Sequence, residues 1–204
     1  MSDLLQTLER LRFPVEAVYD IGANKGLWTK KMKEVLPEAR FFLFEANPRM
    51  QPPSFLDEDD QWISAVLSSP EMKKVDFYSV NGTGDSYYKE VGSVYRKTFP
   101  KRLSTTTLEE ASSGLPLPDL IKMDTQGSEL DILAGGIKAL SYARIVMTET
   151  PVLRYNKGAP RFQDYIDAFG QLGFAPVGVE GEHYCRGALI HLDLIFAKNQ
   201  SLTK

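Results

Sequence analysis

A doubly wound α/β domain with a mostly parallel sheet is the fold this sequence predicts, and three observations carry the prediction. Short apolar runs alternate with stretches of helical periodicity along the 204 residues, without internal repeats or low-complexity tracts. The first run, Val15 to Tyr19, leads into Asp20-Ile21-Gly22-Ala23-Asn24-Lys25-Gly26, a glycine turn that opens a helix. A second run, Phe41 to Phe44, closes on an acid, Glu45. Strand, glycine turn, helix and acid-terminated strand are how such domains hold adenosine-bearing ligands.

Each element has its own signal. Leu4, Leu5, Leu8 and Leu11 recur at helical spacing and mark an opening helix over about 2–12. Val15 to Tyr19 is apolar apart from Glu16, as a strand covered on both faces requires. Trp28, Met32 and Val35 give the next helix one apolar face, ended by Pro37. Phe41 to Glu45 is the second strand, stopped by Asn47-Pro48, and the proline- and acid-rich stretch Gln51 to Asp60 is a loop. Trp62 to Leu67 is the third strand, and Val75 to Val80 a further extended piece. Asn81 to Ser86 is a loop by its turn chemistry, while residues 87–100 carry no pattern that assigns them. Leu120 to Met123 is the fourth strand, closing on Asp124, and Leu130, Leu133, Ile137 and Leu140 place one helix after it. Ile145 to Met147 is the centre of the fifth strand, which ends at Glu149-Thr150-Pro151. Phe162, Ile166, Phe169 and Leu172 mark the last helix, halted by Gly173. Phe174 to Val179 and Ala188 to Ala197 are the sixth and seventh strands. Helical crossovers make neighbouring strands parallel. Glu180 to Gly187 is too short for such a crossover, so the last of the seven strands is expected to be antiparallel, in a Rossmann-like sheet.

Length and composition bound the function. One domain over 1–204 is expected, with a cofactor half at about 15–67 and acceptor-selecting loops at about 81–100 and 151–161. A net charge of -3 supplies no broad basic field, which excludes nucleic acid as the expected partner. The single Cys185 cannot form an internal disulfide, no apolar stretch approaches the roughly 18 residues of a membrane span, and Asp3 and Glu9 interrupt the opening leucines. A cytoplasmic protein without a secretory signal is expected; the oligomeric state stays open.

Ligands of doubly wound sheets sit outside the carboxyl ends of the strands. Gly22 to Gly26, Glu45, Asp124 and Glu149 all fall there. Asp20 precedes the first glycine, and Asn24 stands where the nicotinamide fingerprint has its middle glycine. A carboxylate facing a pyrophosphate is repelled, but it suits a ligand carrying an ammonium and a sulfonium, as S-adenosylmethionine does. The expected cofactor contacts are Asp20, Gly22, Ala23, Asn24 and Gly26 at the turn, with Asp124 beside the aminoacyl end. Glu45 offers two acceptor oxygens to the ribose hydroxyls, Ala46 and Asn47 lie by the adenine or ribose, and Ser64 and Ala65 flank the adenine.

The segments DIGANKGLWTKKMKEVLPEARFFLFEANP, IKMDTQGSELDILAGG and HLDLIFAK resemble the FkbM-type family of S-adenosylmethionine-dependent methyltransferases, over roughly residues 15–197. The resemblance implies a class I methyltransferase fold and methylation of hydroxyls on sugars, glycolipids or polyketides. One departure stands out: the family's Asp-Val-Glu-Gly is Asp124-Thr125-Gln126-Gly127 here, so position 126 has no carboxylate.

Methyl transfer to a weakly nucleophilic hydroxyl gains from alignment and from a base. Asp124, Glu149 and His191 are the expected catalytic residues, although Asp124 could instead cap the following helix and His191 could be structural. His183, Tyr184 and Arg186 are brought to the same edge, and Glu129 in a first helical turn suits either a structural or a functional role. No tight ligand spacing points to a metal. Tyr87, Tyr88, Tyr95, Arg96 and Lys97, with Arg154, Tyr155 and Lys157, suit stacking on sugar rings and pairing with anions in a small-molecule or glycan acceptor. Two other readings remain open at this point. A nicotinamide-dependent oxidoreductase is disfavoured by Asp20 and the missing glycine; a non-catalytic cofactor-binding subunit is favoured by Gln126 and disfavoured by Asp124 and Glu149.

Overall fold

A computed structural model describes residues 3–12, 14–79, 84–90 and 99–199. Its main sheet has seven strands: β1 (Ala17–Ile21), β2 (Arg40–Glu45), β3 (Gln61–Ser64), β6 (Leu120–Met123), β7 (Ile145–Pro151), β8 (Phe174–Cys185) and β9 (Ala188–Lys198). Their spatial order is β3-β2-β1-β6-β7-β9-β8. The first five run parallel to one another, and β9 inserts antiparallel between β7 and β8. The predicted fold class is the observed one. β4 (Lys74–Phe77) and β5 (Lys101–Ser104) form a separate antiparallel pair.

Helices cover both faces, which is why the central strands are buried throughout and apolar apart from a few polar residues such as Asp20 and Lys122. On one face Tyr19, Phe42, Phe44 and Ile121 pack under α4 (Glu129–Ala134), α5 (Ile137–Tyr142) and α6 (Phe162–Gln171). There Phe169 stacks on Phe196 with ring centroids 4.3 Å apart. On the other, Val18, Phe41, Leu43 and Leu120 meet α1 (Asp3–Leu11) and α2 (Leu27–Val35). The short α3 (Leu108–Ala111) begins at a capping box made by Thr107 and Glu110.

Several boundaries differ from the sequence reading, each for a tertiary reason. β1 starts later than expected and runs to Ile21, so Asp20 is a strand residue rather than part of the turn. The chain bends only at Gly22, whose φ is +78°. On α2 the buried stripe is Thr29 and Met32, while Val35 is 43% exposed. The third strand pairs only to Ser64; the chain then turns so that Val66 accepts from the amide of Thr106. The single helix expected after Asp124 is two, broken at Gly135-Gly136, and Ile137 is 46% exposed. Both glycines are demanded by packing. A Cβ on Gly135 would lie 2.4 Å from the carbonyl oxygen of Ser68, and one on Gly136 2.7 Å from Leu108. The last two strands continue to Cys185 and from Ala188, leaving a turn of Arg186-Gly187 with positive φ at both residues, as a tight hairpin needs. Residues 80–83 and 91–98, which include Tyr95, Arg96 and Lys97 of the first acceptor loop, lie outside the described residues.

Candidate active site

A cavity of about 780 Å³ opens at the carboxyl ends of β1, β2, β6 and β7, the position that strand topology dictates. The glycine turn (Gly22, Ala23, Asn24), Glu45, Ala46 and Ala65 line one part of it. Asp124, Gln126, Glu149, Tyr155, His183, His191 and Asp193 line another. The long β8–β9 hairpin carries its histidines there by alternation: His183 and Cys185 face the cavity, whereas Tyr184 is 62% exposed and bonds Glu182. Arg186 sits at the exposed tip; Arg154 and Lys157 are exposed and outside the cavity lining.

Glu45 is nearly buried, and its two oxygens each accept a backbone N–H at 2.7 Å, from Asn24 and from Asn47. Burial pushes its carboxyl up, partly offset by those two amides. Asn47 is turned from the cavity lining and donates its side-chain amide to Asp85 at 2.6 Å. Ser64 accepts from Trp62 outside the cavity, and Gly26 packs against Pro53 and Phe55. None of these three lines the cavity.

Asp20 needs the largest correction. It does not project beside the glycine turn. Its carboxylate is wholly buried, accepting from Thr29 Oγ1 at 2.6 Å and pairing with Lys122 Nζ at 3.2 Å. The parallel register sets Asp20 directly opposite Lys122, so the two charges neutralise each other inside the sheet. Gly22 is likewise required by packing: a Cβ there would lie 2.0 Å from the carbonyl oxygen of Asp124.

Asp124 does not cap a helix. Its carboxylate, 40% exposed, accepts from Gln126 Nε2 at 3.0 Å and pairs with Lys122 at 3.5 Å. Burial works to raise its pKa, but Lys122 and the Gln126 amide prevail and hold it below the usual carboxylate range. The same Gln126 Nε2 donates to Glu149 at 2.9 Å, and Tyr155 donates its hydroxyl to the other oxygen of Glu149. Burial, then the charge of Asp124, pushes Glu149 well up. His191 Nε2 lies 3.6 Å from Glu149, and its ring packs 4.1 Å from that of His183. Desolvation and His183 lower its pKa to about 4, so the imidazole is neutral near neutrality. Environments that drive neighbouring carboxyls apart separate an ionised group from a protonated one.

The loop from Thr125 to Gly127 is fixed from below. Glu129, fully buried, accepts from the amides of Thr125 (2.8 Å) and Gly127 (3.0 Å) and from the Tyr165 hydroxyl (2.6 Å), so its role is structural. Gln126 has φ +58°, a costly backbone for a residue with a Cβ. Its carbonyl is held by Ser86 Oγ and Asn156 Nδ2 at 3.0 and 2.7 Å. Tyr87 and Tyr88 both donate to Asp131, and Tyr87 also lines the cavity.

Sequence reasoning missed Lys122, the bridging part of Gln126, and the contact of Tyr155 with Glu149. Lys122 carried a signal: a lysine within the apolar strand Leu-Ile-Lys-Met must have a buried anion to meet.

A family model described as the methyltransferase FkbM domain matches residues 20–176. The chain belongs to the FkbM methyltransferase family. It is 27% identical over 198 residues to the 2-O-methyltransferase NoeI of Sinorhizobium fredii (strain NBRC 101917 / NGR234), covering 87% of this chain and 82% of that protein. Among solved structures it is similar to the magnesium protoporphyrin IX methyltransferase ChlM of Synechocystis PCC 6803, solved with bound SAM. That match has a TM-score of 0.53, 11% identity, and covers 96% of this chain and 75% of that one. It is also similar to M. capricolum TrmK in complex with S-adenosyl-homocysteine: TM-score 0.52, 10% identity, coverage 98% and 69%. Identities this low speak for the fold alone. The FkbM chain is therefore a methyltransferase with S-adenosylmethionine as methyl donor, which sets aside the nicotinamide and non-catalytic readings. The donor set suits that cofactor: a buried carboxylate for a ribose diol, and apolar walls at Ala46, Ala65 and Val66 for a base.

Proposed function

We propose that this enzyme methylates a hydroxyl of a sugar, glycolipid or polyketide-like acceptor in the cytoplasm. The observation that carries the reading is Asp124, an ionised carboxylate half open to the cavity that Glu45 also lines. Glu45 binds the ribose hydroxyls, Gly22, Ala23 and Asn24 border the methionine moiety, and Ala46 and Ala65 flank the adenine. Asp20, Gly26, Asn47 and Ser64 act from outside that first layer by holding it in place. When bound, S-adenosylmethionine supplies a methyl group made electrophilic by its sulfonium. Asp124 orients the acceptor hydroxyl and takes its proton, a contribution of roughly 100- to 10,000-fold. Glu149, its carboxyl pushed well up by burial, and neutral His191 and Tyr155 bind neighbouring hydroxyls of the acceptor. The name of the S. fredii relative supports oxygen as the atom methylated. Among the described residues no helix is long and apolar enough to cross a membrane, and the lone Cys185 is free, both in keeping with a cytoplasmic enzyme.

The test offers methyl-labelled S-adenosylmethionine with a panel of neutral oligosaccharides, glycolipids and polyketide alcohols. Product masses and carbon shifts of an O-methyl ether are expected. Label found on nitrogen or carbon alone would overturn the reading.

A further inference from the structure

Lys122 sits at the junction of the two halves of the site. Its ammonium lies 3.2 Å from Asp20 Oδ1, 3.5 Å from Asp124 Oδ2 and 3.5 Å from the carbonyl oxygen of Gly22. The two carboxylates differ in their freedom. Asp20 is sealed within the sheet, its other oxygen taken by the Thr29 hydroxyl at 2.6 Å. Asp124 has 40% of its side chain open to the cavity. One partner of Lys122 is an anchor, and the other is the group that can meet a ligand.

The other titratable groups facing Asp124 are Glu149 on β7, His191 and Asp193 on β9, and Tyr155 beyond β7. Glu149 and Asp193 are both raised, first by burial and then by the charge of Asp124. Of these three carboxylates, Asp124 is the one in contact with an ammonium, and it is the one held below its ordinary range. Burial opposes the charge on Lys122 too, but Asp20 and Asp124 overcome it.

We propose that Lys122 is the positioning residue of this site: anchored on Asp20 and the Gly22 carbonyl, it holds Asp124 as an anion aimed into the cavity and ties that anion to the glycine turn. Two separate functions, cofactor turn and acceptor-facing carboxylate, are thereby locked to one buried cation. The assignment rests on the reading of Asp124 as acceptor-facing, and its test needs neither acceptor nor methyl donor.

The side-chain carboxyl carbon of Asp124, assigned by comparison with Asp124→Asn, is titrated by NMR in the full chain. Wild type is expected to titrate below the ordinary 3.8. The double variant Asp20→Asn/Lys122→Met removes both buried charges together, so neither is left unpaired, and is expected to move the midpoint up by about 1–3 pH units. Lys122→Arg, and Asp20→Asn alone, keep a cation beside Asp124 and are expected to leave the midpoint near wild type. If the double variant does not fold, Lys122→Gln, which keeps a donor for Asp20, reads the same resonance. An unmoved midpoint in the folded cation-free variant overturns the assignment, as does an equal rise in Asp20→Asn alone. Full methyl transfer by Asp124→Asn would instead overturn the reading beneath it, so the two failures are told apart.

Discussion

Asp124 and Glu149 are joined through a single amide: Gln126 Nε2 donates to Asp124 Oδ1 at 3.0 Å and to Glu149 Oε2 at 2.9 Å. A glutamine does here what a third carboxylate could not, since it binds two acids without adding a charge that would repel them. Lys122 on the Asp124 side, and burial on the Glu149 side, then drive the two carboxyls in opposite directions, Asp124 down and Glu149 up.

That division predicts unequal variants. Asp124→Asn keeps volume and loses the anion, so single-turnover methyl transfer should fall by about 100-fold or more, with S-adenosylhomocysteine affinity little changed. Glu149→Gln replaces a carboxyl that burial and the charge of Asp124 push well up, and should cost much less. Full turnover in the first with a crippled second would move the base to Glu149.

Glu45→Ala should weaken S-adenosylhomocysteine binding by roughly 1–3 kcal/mol, because it removes acceptors for the ribose and the carboxylate that fixes the Asn24 and Asn47 amides. Calorimetry on folded protein decides the matter; an unchanged dissociation constant would remove Glu45 from the ribose site.

The pH dependence of stability should carry a mark from His191. Unfolded, it titrates near 6.5; folded, it stays neutral down to about 4. The unfolded chain therefore binds the extra proton throughout that window, and stability falls as pH drops from 6.5 towards 4. His191→Gln should flatten this acid slope in denaturant titrations. A slope identical to wild type would show that other groups produce it.

Two glycines with similar backbones should respond differently to alanine. At Gly114 (φ +84°) an added Cβ would meet nothing within 4 Å, so Gly114→Ala should cost only the left-handed strain, about 1–2 kcal/mol. Gly22→Ala adds a clash at 2.0 Å with the Asp124 backbone and should lower the melting temperature far more, or prevent folding. Equal melting shifts in the two would contradict the close approach of β1 and β6 at this point.

What could be read from the sequence was local or periodic. Glycine, proline and terminal acids punctuate strand ends, so Gly22, Glu45, Asp124 and Glu149 could be assigned to one edge before any contact was known. Period then separated strands from helices, and a short connection reversed β9. The differences were equally physical. Helical spacing over residues 130–140 concealed a break forced by Ser68 and Leu108, residues distant in the chain. Ser64 and Asn47 fell on the right edge, but each side chain turns to a neighbour, Trp62 or Asp85, rather than the cavity.

The sequence by itself determined the doubly wound fold, the family motifs and which strand ends carry acids, because alternation, turn chemistry and apolar periodicity act within a few residues. Only the tertiary structure decided what each charge does. Asp20 became a buried partner of Lys122 rather than part of the turn, because strand register set it opposite that lysine. Asp124 became the open anion, and Glu149 the carboxyl pushed well up, through Lys122, Gln126 and burial supplied by other strands. A carboxylate's role depends on the field and the water around it, and those are properties of the packed chain.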